Sequence, residues 1–195
     1  MILPLAIPLS LSLSLRLTMM QWNPDAEEVR YICELLKNAF NPRATQAEQT
    51  AMMQKLKDLS QTPNFVGNMT FILASKDLPH SIRATAALVL KNEFRLAGPS
   101  MQPNALQFLH EQLLANLDES DEFLRRTFCQ TTVTVFNLVG LVGWPELPAF
   151  MLQFLSRQDK RSIDTALYML NLLIEDSLSH FEAYEQSFLD NLYSL

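Results

Sequence analysis

From Trp22 onward, apolar residues recur every three or four positions, the spacing of an amphipathic helix. The segment DAEEVRYICELLKNAF (25–40) places Val29, Ile32, Cys33, Leu36 and Phe40 at that spacing. Asn23-Pro24-Asp25 is a helix start, with Asp25, Glu27 and Glu28 in the first turn, where the helix dipole favours acids. Asn41-Pro42 breaks the pattern, and ATQAEQTAMMQKLKDLSQ (44–61) resumes it until Pro63. A third helix runs over 63–75, with Pro63 placed as a first-turn proline. Asp77-Leu78-Pro79 then turns the chain into SIRATAALVLKNEF (81–94). Further helical patterns follow over 104–117, 123–142, 146–157 and 162–176, and the segment 180–195 reads as one more helix. Threonines and valines at 131–135 favour strand by propensity, but the surrounding helical period overrides them.

The helices fall into antiparallel pairs whose second members, near 44–61, 80–96, 121–141 and 161–177, align with one another. Ile82-Arg83 aligns with Leu124-Arg125 at a spacing of 42, Phe123 with Asp164 at 41, and Ala47 with Ile82, less cleanly, at 35. Two-helix repeats of about 40 residues predict a solenoid of the HEAT or armadillo kind. On a helical wheel, Ile82, Ala86, Ala87, Val89, Leu90 and Phe94 fill one wide arc. Ser81, Thr85, Asn92 and Arg95 form a narrow polar seam opposite, with Leu88 among them. A helix held by its own partner and by both neighbouring repeats keeps only such a seam in water. Equivalent positions carry Thr50 and Lys57 in the first pair and Thr127, Gln130, Thr134 and Asn137 in the third. In the fourth pair they carry Asp164, Tyr168, Asn171 and Glu175, so four second helices are expected to share one polar strip.

Arg83 and Arg125 lie within the apolar arc, where a guanidinium requires an acidic partner. Asp77, Asp118 and Asp121 precede these helices, and the expectation is a structural ladder from arginine to aspartate between repeats. The fourth pair has Asp164 at the ladder position and no arginine.

Composition narrows the function classes. The chain has 195 residues, is 48% hydrophobic and 18% charged, and contains only 4 glycines, which argues for a packed helical domain without Gly-rich phosphate loops. Its net charge of −6 argues against nucleic-acid binding, which needs a basic surface. Cys33 and Cys129 read as buried free thiols, and His80, His110 and His180 as isolated surface or boundary residues, so no metal site or cofactor is expected. No nucleotide-binding, zinc-protease or serine-hydrolase signature occurs, and the neighbouring Glu175-Asp176 pair cannot converge on one side of a helix, so no enzyme is expected. The first eighteen residues, MILPLAIPLSLSLSLRLT, are apolar and low in complexity. They lack a basic start, are broken by Pro4 and Pro8, lead to no small-residue cleavage site, and are too short and serine-rich to span a membrane. Residues 1–18 are therefore expected to lie outside the packed domain, as a disordered or spurious leader before Met19 or Met20.

Particular residues carry a resemblance. The Ala47-Glu48-Gln49 start, Leu56, Leu59, Pro63-x-Phe65, Phe71-Ile72-Leu73, Arg83 and Leu90-Lys91-Asn92 are similar to the N-terminal domain of the importin-β family. WNPD (22–25), RRT (125–127), GWPELP (143–148) and ALYMLNLLIEDS (166–177) resemble the transportin branch of that family in order and spacing, so the resemblance spans about 22–178. It implies an all-α HEAT-repeat α-solenoid, a right-handed superhelix of antiparallel helix pairs over 19–195, with about four pairs and a truncated fifth. It further implies a nuclear import receptor, cytoplasmic and nuclear, that binds the small GTPase Ran in its GTP form on the concave face lined by second helices. Nucleoporins and nuclear-localisation-signal cargo are the partners implied for an intact receptor, whose cargo repeats this chain does not carry. The implied Ran-binding positions are Thr50, Lys57, Thr85, Lys91, Asn92, Arg95, Gln130, Asn137, Asn171 and Glu175. A generic HEAT interaction scaffold, not tied to transport, shares every architectural feature.

Overall fold

The structure is a computed structural model that describes residues 22–39, 41–96, 102–157 and 159–176. The leader 1–18 and the helix expected over 180–195 lie outside the described residues. Among the described residues there are eight α-helices and no strand. They are α1 (Ala26–Ala39), α2 (Gln46–Leu59), α3 (Phe65–Ala74), α4 (His80–Leu96), α5 (Pro103–Ala115), α6 (Glu122–Gly143), α7 (Glu146–Ser156) and α8 (Lys160–Asp176).

Local chemistry sets the helix starts. Asp25 accepts the backbone N–H groups of Glu27 and Glu28, both at 3.0 Å. Thr45 and Glu48 form a reciprocal capping box on α2, Asp121 accepts the Leu124 N–H at 2.9 Å, and Asp159 accepts that of Ser162 at 2.9 Å. Pro103 occupies the first turn of α5. In the threonine-rich stretch of α6 three hydroxyls find a carbonyl one turn back, while the buried Thr132 hydroxyl has no partner among the described residues. Thr127 donates to Phe123, Thr131 to Thr127 and Thr134 to Gln130.

Packing arranges these helices as an all-α HEAT-repeat solenoid. The second helices α4, α6 and α8 lie side by side, the first helices α3 and α5 pack on one another, and each pair closes on itself. The wheel drawn for α4 holds. Ala86, Ala87, Leu90 and Phe94 are buried, whereas Ser81, Leu88, Asn92 and Arg95 are exposed. The first pair departs from the regular stack, as its imperfect alignment foreshadowed. Helix α2 packs mainly on α1, and it is α1 that reaches α3 and α4. Leu56 is the buried residue of α2, and Met53 is exposed.

Two glycines matter. Gly140 has φ +66°, a left-handed conformation, and it kinks α6 so that its carbonyl accepts the Trp144 N–H at 3.0 Å. Gly67 in α3 lies against the indole of Trp22, whose ring atoms would stand 2.2 Å from any added Cβ. Trp22 is buried there and packs on Phe108 of α5 with ring centroids 4.9 Å apart, tying the start of the chain across two helices. Nearby, the Asp25 N–H donates to the buried Asn68 side-chain oxygen at 3.3 Å.

His110, expected at a boundary, instead lies flat on buried Trp144, with centroids 3.9 Å apart and planes 4° from parallel. Burial pushes its pKa down to about 4, against an opposing pull from Glu146. The neutral ring is the folded form, so the unfolded chain takes up the proton first as pH falls. Stability is therefore full above the ordinary imidazole pKa of about 6.5 and declines as pH drops toward 4. Melting temperatures of the wild type and of His110→Phe across that window should diverge, with the variant losing this part of the slope. Parallel curves would remove His110 as its source.

Candidate functional site

The exposed seams of α4, α6 and α8 lie on neighbouring helices, and one line of hydrogen bonds crosses them. Lys91 Nζ on α4 donates to Gln130 Oε1 on α6 at 3.1 Å, and Gln130 Nε2 donates to the Tyr168 hydroxyl on α8 at 2.9 Å. The intervals of 39 and 38 residues are slightly shorter than the repeat, so each side chain meets its neighbour about one turn toward the N-terminus of the adjacent helix. All three residues are half-buried, which fixes their orientation and leaves a face toward solvent.

Gln130 and Tyr168 line two different hollows. One is lined by Lys91, Arg95, Gln130, Thr134, Leu172 and Asp176. The other lies between the first turns of α6 and α8 and is lined by Glu122, Arg125, Arg126, Lys160, Asp164 and Tyr168, among others. There, Arg126 pairs with Glu122 at 2.7 Å and sits 5.5 Å from the Tyr168 ring centroid. Phe123, exposed beside this hollow's Glu122, has its ring 5.8 Å from that of His80.

Of the strip positions read from sequence, the structure brings Lys91, Asn92, Arg95, Gln130, Asn137, Asn171 and Glu175 onto the α4–α6–α8 row, with Thr85 half-buried at its edge. Asn171 donates to Glu175 at 2.8 Å along the exposed side of α8. Thr50 and Lys57 are exposed on α2, but that helix packs on α1 and does not extend the closely packed row. Thr50 spends its hydroxyl on the Gln46 carbonyl at 2.8 Å. Thr127, aligned with half-buried Thr85, is buried instead, its hydroxyl donated to the Phe123 carbonyl. The strip is also less polar than its spacing suggested, since Leu88, Phe123 and Leu167 are exposed on the same three helices. Asp176, which the sequence shows only as the neighbour of Glu175, lies one residue beyond the last aligned seam position, and its place in the hollow depends on how α8 packs against α6.

The ladder forms around different partners. Arg83 is buried, and it donates from Nε to the Leu73 carbonyl at 2.9 Å and from a terminal nitrogen to Glu119 at 2.7 Å. The acid is thus Glu119, not one of the three aspartates. Asp121 is occupied by the α6 cap and by His80, 3.1 Å away, and the Leu124 N–H foremost holds its carboxyl below the usual range. Asp118 faces Arg157 and Arg161 of the next pair at 3.9 and 4.0 Å, and Asp77 is exposed without an ion pair among the described residues. Arg125 is only half-buried and donates to the Glu119 and Ser120 carbonyls at 2.7 and 3.3 Å. The turn 118–121 is therefore where three successive repeats meet.

Among the described residues no cluster of His, Cys, Asp or Glu could hold a metal, and no helix is long and apolar enough to cross a membrane. Cys129 is buried, and desolvation pushes its thiol up to about 12; Cys33 is half-buried and raised for the same leading reason.

Comparison with known proteins agrees with this architecture. The importin-beta N-terminal domain matches residues 52–119. Transportin-1 of Oryza sativa subsp. japonica is 30% identical over 156 residues, which cover 80% of this chain and 17% of that protein. The chain thus spans about a sixth of the length of the curated relatives it matches. Among solved structures, Kap95 in its complex with Nup1 superposes with a TM-score of 0.73 at 19% identity, over 84% of this chain and 21% of that one. Kap95p, whose binding induces the switch loops of RanGDP to adopt the GTP-bound conformation, superposes with a TM-score of 0.63 at 21% identity, over 72% and 19%.

Proposed function

We propose that this chain, which matches the importin-beta N-terminal domain over residues 52–119 and resembles the N-terminal part of transportin, is a member of the importin-β family that binds the small GTPase Ran in its GTP form through the α4–α6–α8 strip and acts in nuclear protein import. The observation that carries this reading is the Lys91–Gln130–Tyr168 line, which presents side chains of three successive repeats as one prearranged surface. Prearrangement reduces the ordering cost of association. Kap95p, with the same fold, acts on the switch loops of Ran. Those loops are ordered by the γ-phosphate, so a surface that reads them discriminates between nucleotide states. Nucleoporins are a further partner class, supported by the Kap95 complex with Nup1, and localisation-signal cargo belongs to a receptor with more repeats than these. Residence in both cytoplasm and nucleus follows from the same role.

The test is a titration of the chain with GTP-loaded and GDP-loaded Ran. Tighter binding of the GTP form is expected. Asn92→Ala with Arg95→Ala should weaken it by about 1–3 kcal/mol while the melting temperature stays unchanged, since both side chains are exposed. Equal affinity for both nucleotide states, or full affinity in the double variant, would leave a HEAT scaffold outside transport as the better reading.

A further inference from the structure

We infer that the hollow lined by Lys91, Arg95, Gln130, Thr134, Leu172 and Asp176 is an anion subsite that takes a carboxylate side chain from the docked GTPase. This deepens the function proposed above and rests on it. The hollow is open, about 190 Å³, and drawn from three successive repeats. Lys91 reaches it with its ammonium held, among the described residues, by the neutral Gln130 amide. Arg95, one turn further along α4, is exposed and has neither an ion pair nor a hydrogen bond among the described residues. Asp176 is the carboxylate facing these two cations, and it forms no ion pair with either.

The local balance is two positive groups against one negative, in a chain whose net charge is −6. Elsewhere on this face Arg126 pairs with Glu122, Arg125 donates to two carbonyls, and Lys160 shares its hollow with two carboxylates, Glu122 and Asp164. The hollow in which cations outnumber carboxylates is the one that holds Lys91 and Arg95. One incoming carboxylate neutralises that excess, with the guanidinium able to grip both oxygens. Asp176 repels a second acid and orients the partner so that its acid points toward α4 and a donor or cation toward α8. Nucleic-acid phosphate is disfavoured by the overall acidity of the chain.

The experiment titrates GTP-loaded Ran against the full chain and three variants, at low and high salt. Arg95→Glu is expected to weaken binding about tenfold or more at low salt, and Lys91→Gln by a smaller factor. Asp176→Asn should tighten binding several-fold by removing the competing carboxylate. All three differences should shrink at high salt, because these groups are solvent-accessible. Arg95 and Asp176 are exposed, so unchanged melting curves are expected alongside. Wild-type binding with Arg95→Glu and Asp176→Asn both within about twofold of it would overturn the subsite while leaving the receptor reading intact. Absence of wild-type binding would overturn both.

Discussion

Arg83→Ala is expected to destabilise the array by about 3–5 kcal/mol, the cost of leaving one member of a buried ion pair without the other. Arg83 and Glu119 side chains are only 7% and 8% exposed and meet at 2.7 Å. Glu119 has little else to neutralise it: its second oxygen accepts the Ser120 N–H at 2.8 Å and the Asp121 N–H at 3.4 Å. Burial pushes this carboxyl up, but the hydrogen bonds from Arg83 and from the Asp121 and Ser120 groups, with the charge of Arg83, outweigh it and hold the pKa below the usual value. A carboxyl lowered in the folded state contributes stability above its unfolded pKa and loses it as pH falls through the folded one. Arg83→Ala should therefore flatten the acid limb of the stability curve as well as lower it. Glu119→Gln should also destabilise, by leaving the guanidinium buried and uncompensated, and the double variant should cost less than the two single costs added. Urea melts across pH measure all of this. An unchanged midpoint for Arg83→Ala, or simple additivity in the cycle, would show that the junction contributes nothing beyond packing.

Trp22→Ala is expected to cost about 3–5 kcal/mol, as for other buried large aromatics. Gly67→Ala should cost a comparable amount by a different route. Its methyl would lie 2.2 to 2.6 Å from three atoms of the indole, a rigid ring that cannot fold aside, so the ring must leave its seat against Phe108. The cycle has an unusual sign. Once Trp22 is alanine the methyl has room, and alanine is favoured over glycine inside a helix by up to about 1 kcal/mol. Gly67→Ala should then be neutral or stabilising in the Trp22→Ala background while strongly destabilising alone. The chain has 2 tryptophans, so expulsion of Trp22 also appears as a red shift in emission, with buried Trp144 as the constant component. Gly67→Ala with native stability and unshifted emission would show that the ring is not held there.

The helices themselves were legible in the sequence, because a period near 3.6 is imposed by burying one side of a helix and needs no knowledge of the neighbour. The cap at Asp25 was legible for the same reason, since it acts within three residues of itself. The stretch 131–135 shows where strand propensity gave way to the helical period, with the Thr131 and Thr134 hydroxyls bonded one turn back. The alignment of second helices followed from the repeat length; the bonds that join Lys91 to Gln130 and Gln130 to Tyr168, at intervals shorter than the repeat, did not.

Sequence alone determined the element order, the helical pairing and the requirement that Arg83 find an acid. Only the tertiary structure decided which acid. Glu119, Asp121 and Asp118 stand within four residues of one another, and spacing cannot rank them. The turn ranks them by where each carboxyl is already committed: Asp121 to the first turn of α6, Asp118 outward to Arg157 and Arg161, and Glu119, with one more methylene, inward to Arg83. The seating of α2 on α1, the burial of Thr127 and the arrival of Asp176 beside Lys91 and Arg95 were likewise settled by packing. Each depends on the angle and offset between helices, which side chains far apart in the chain fix jointly and which no local pattern records.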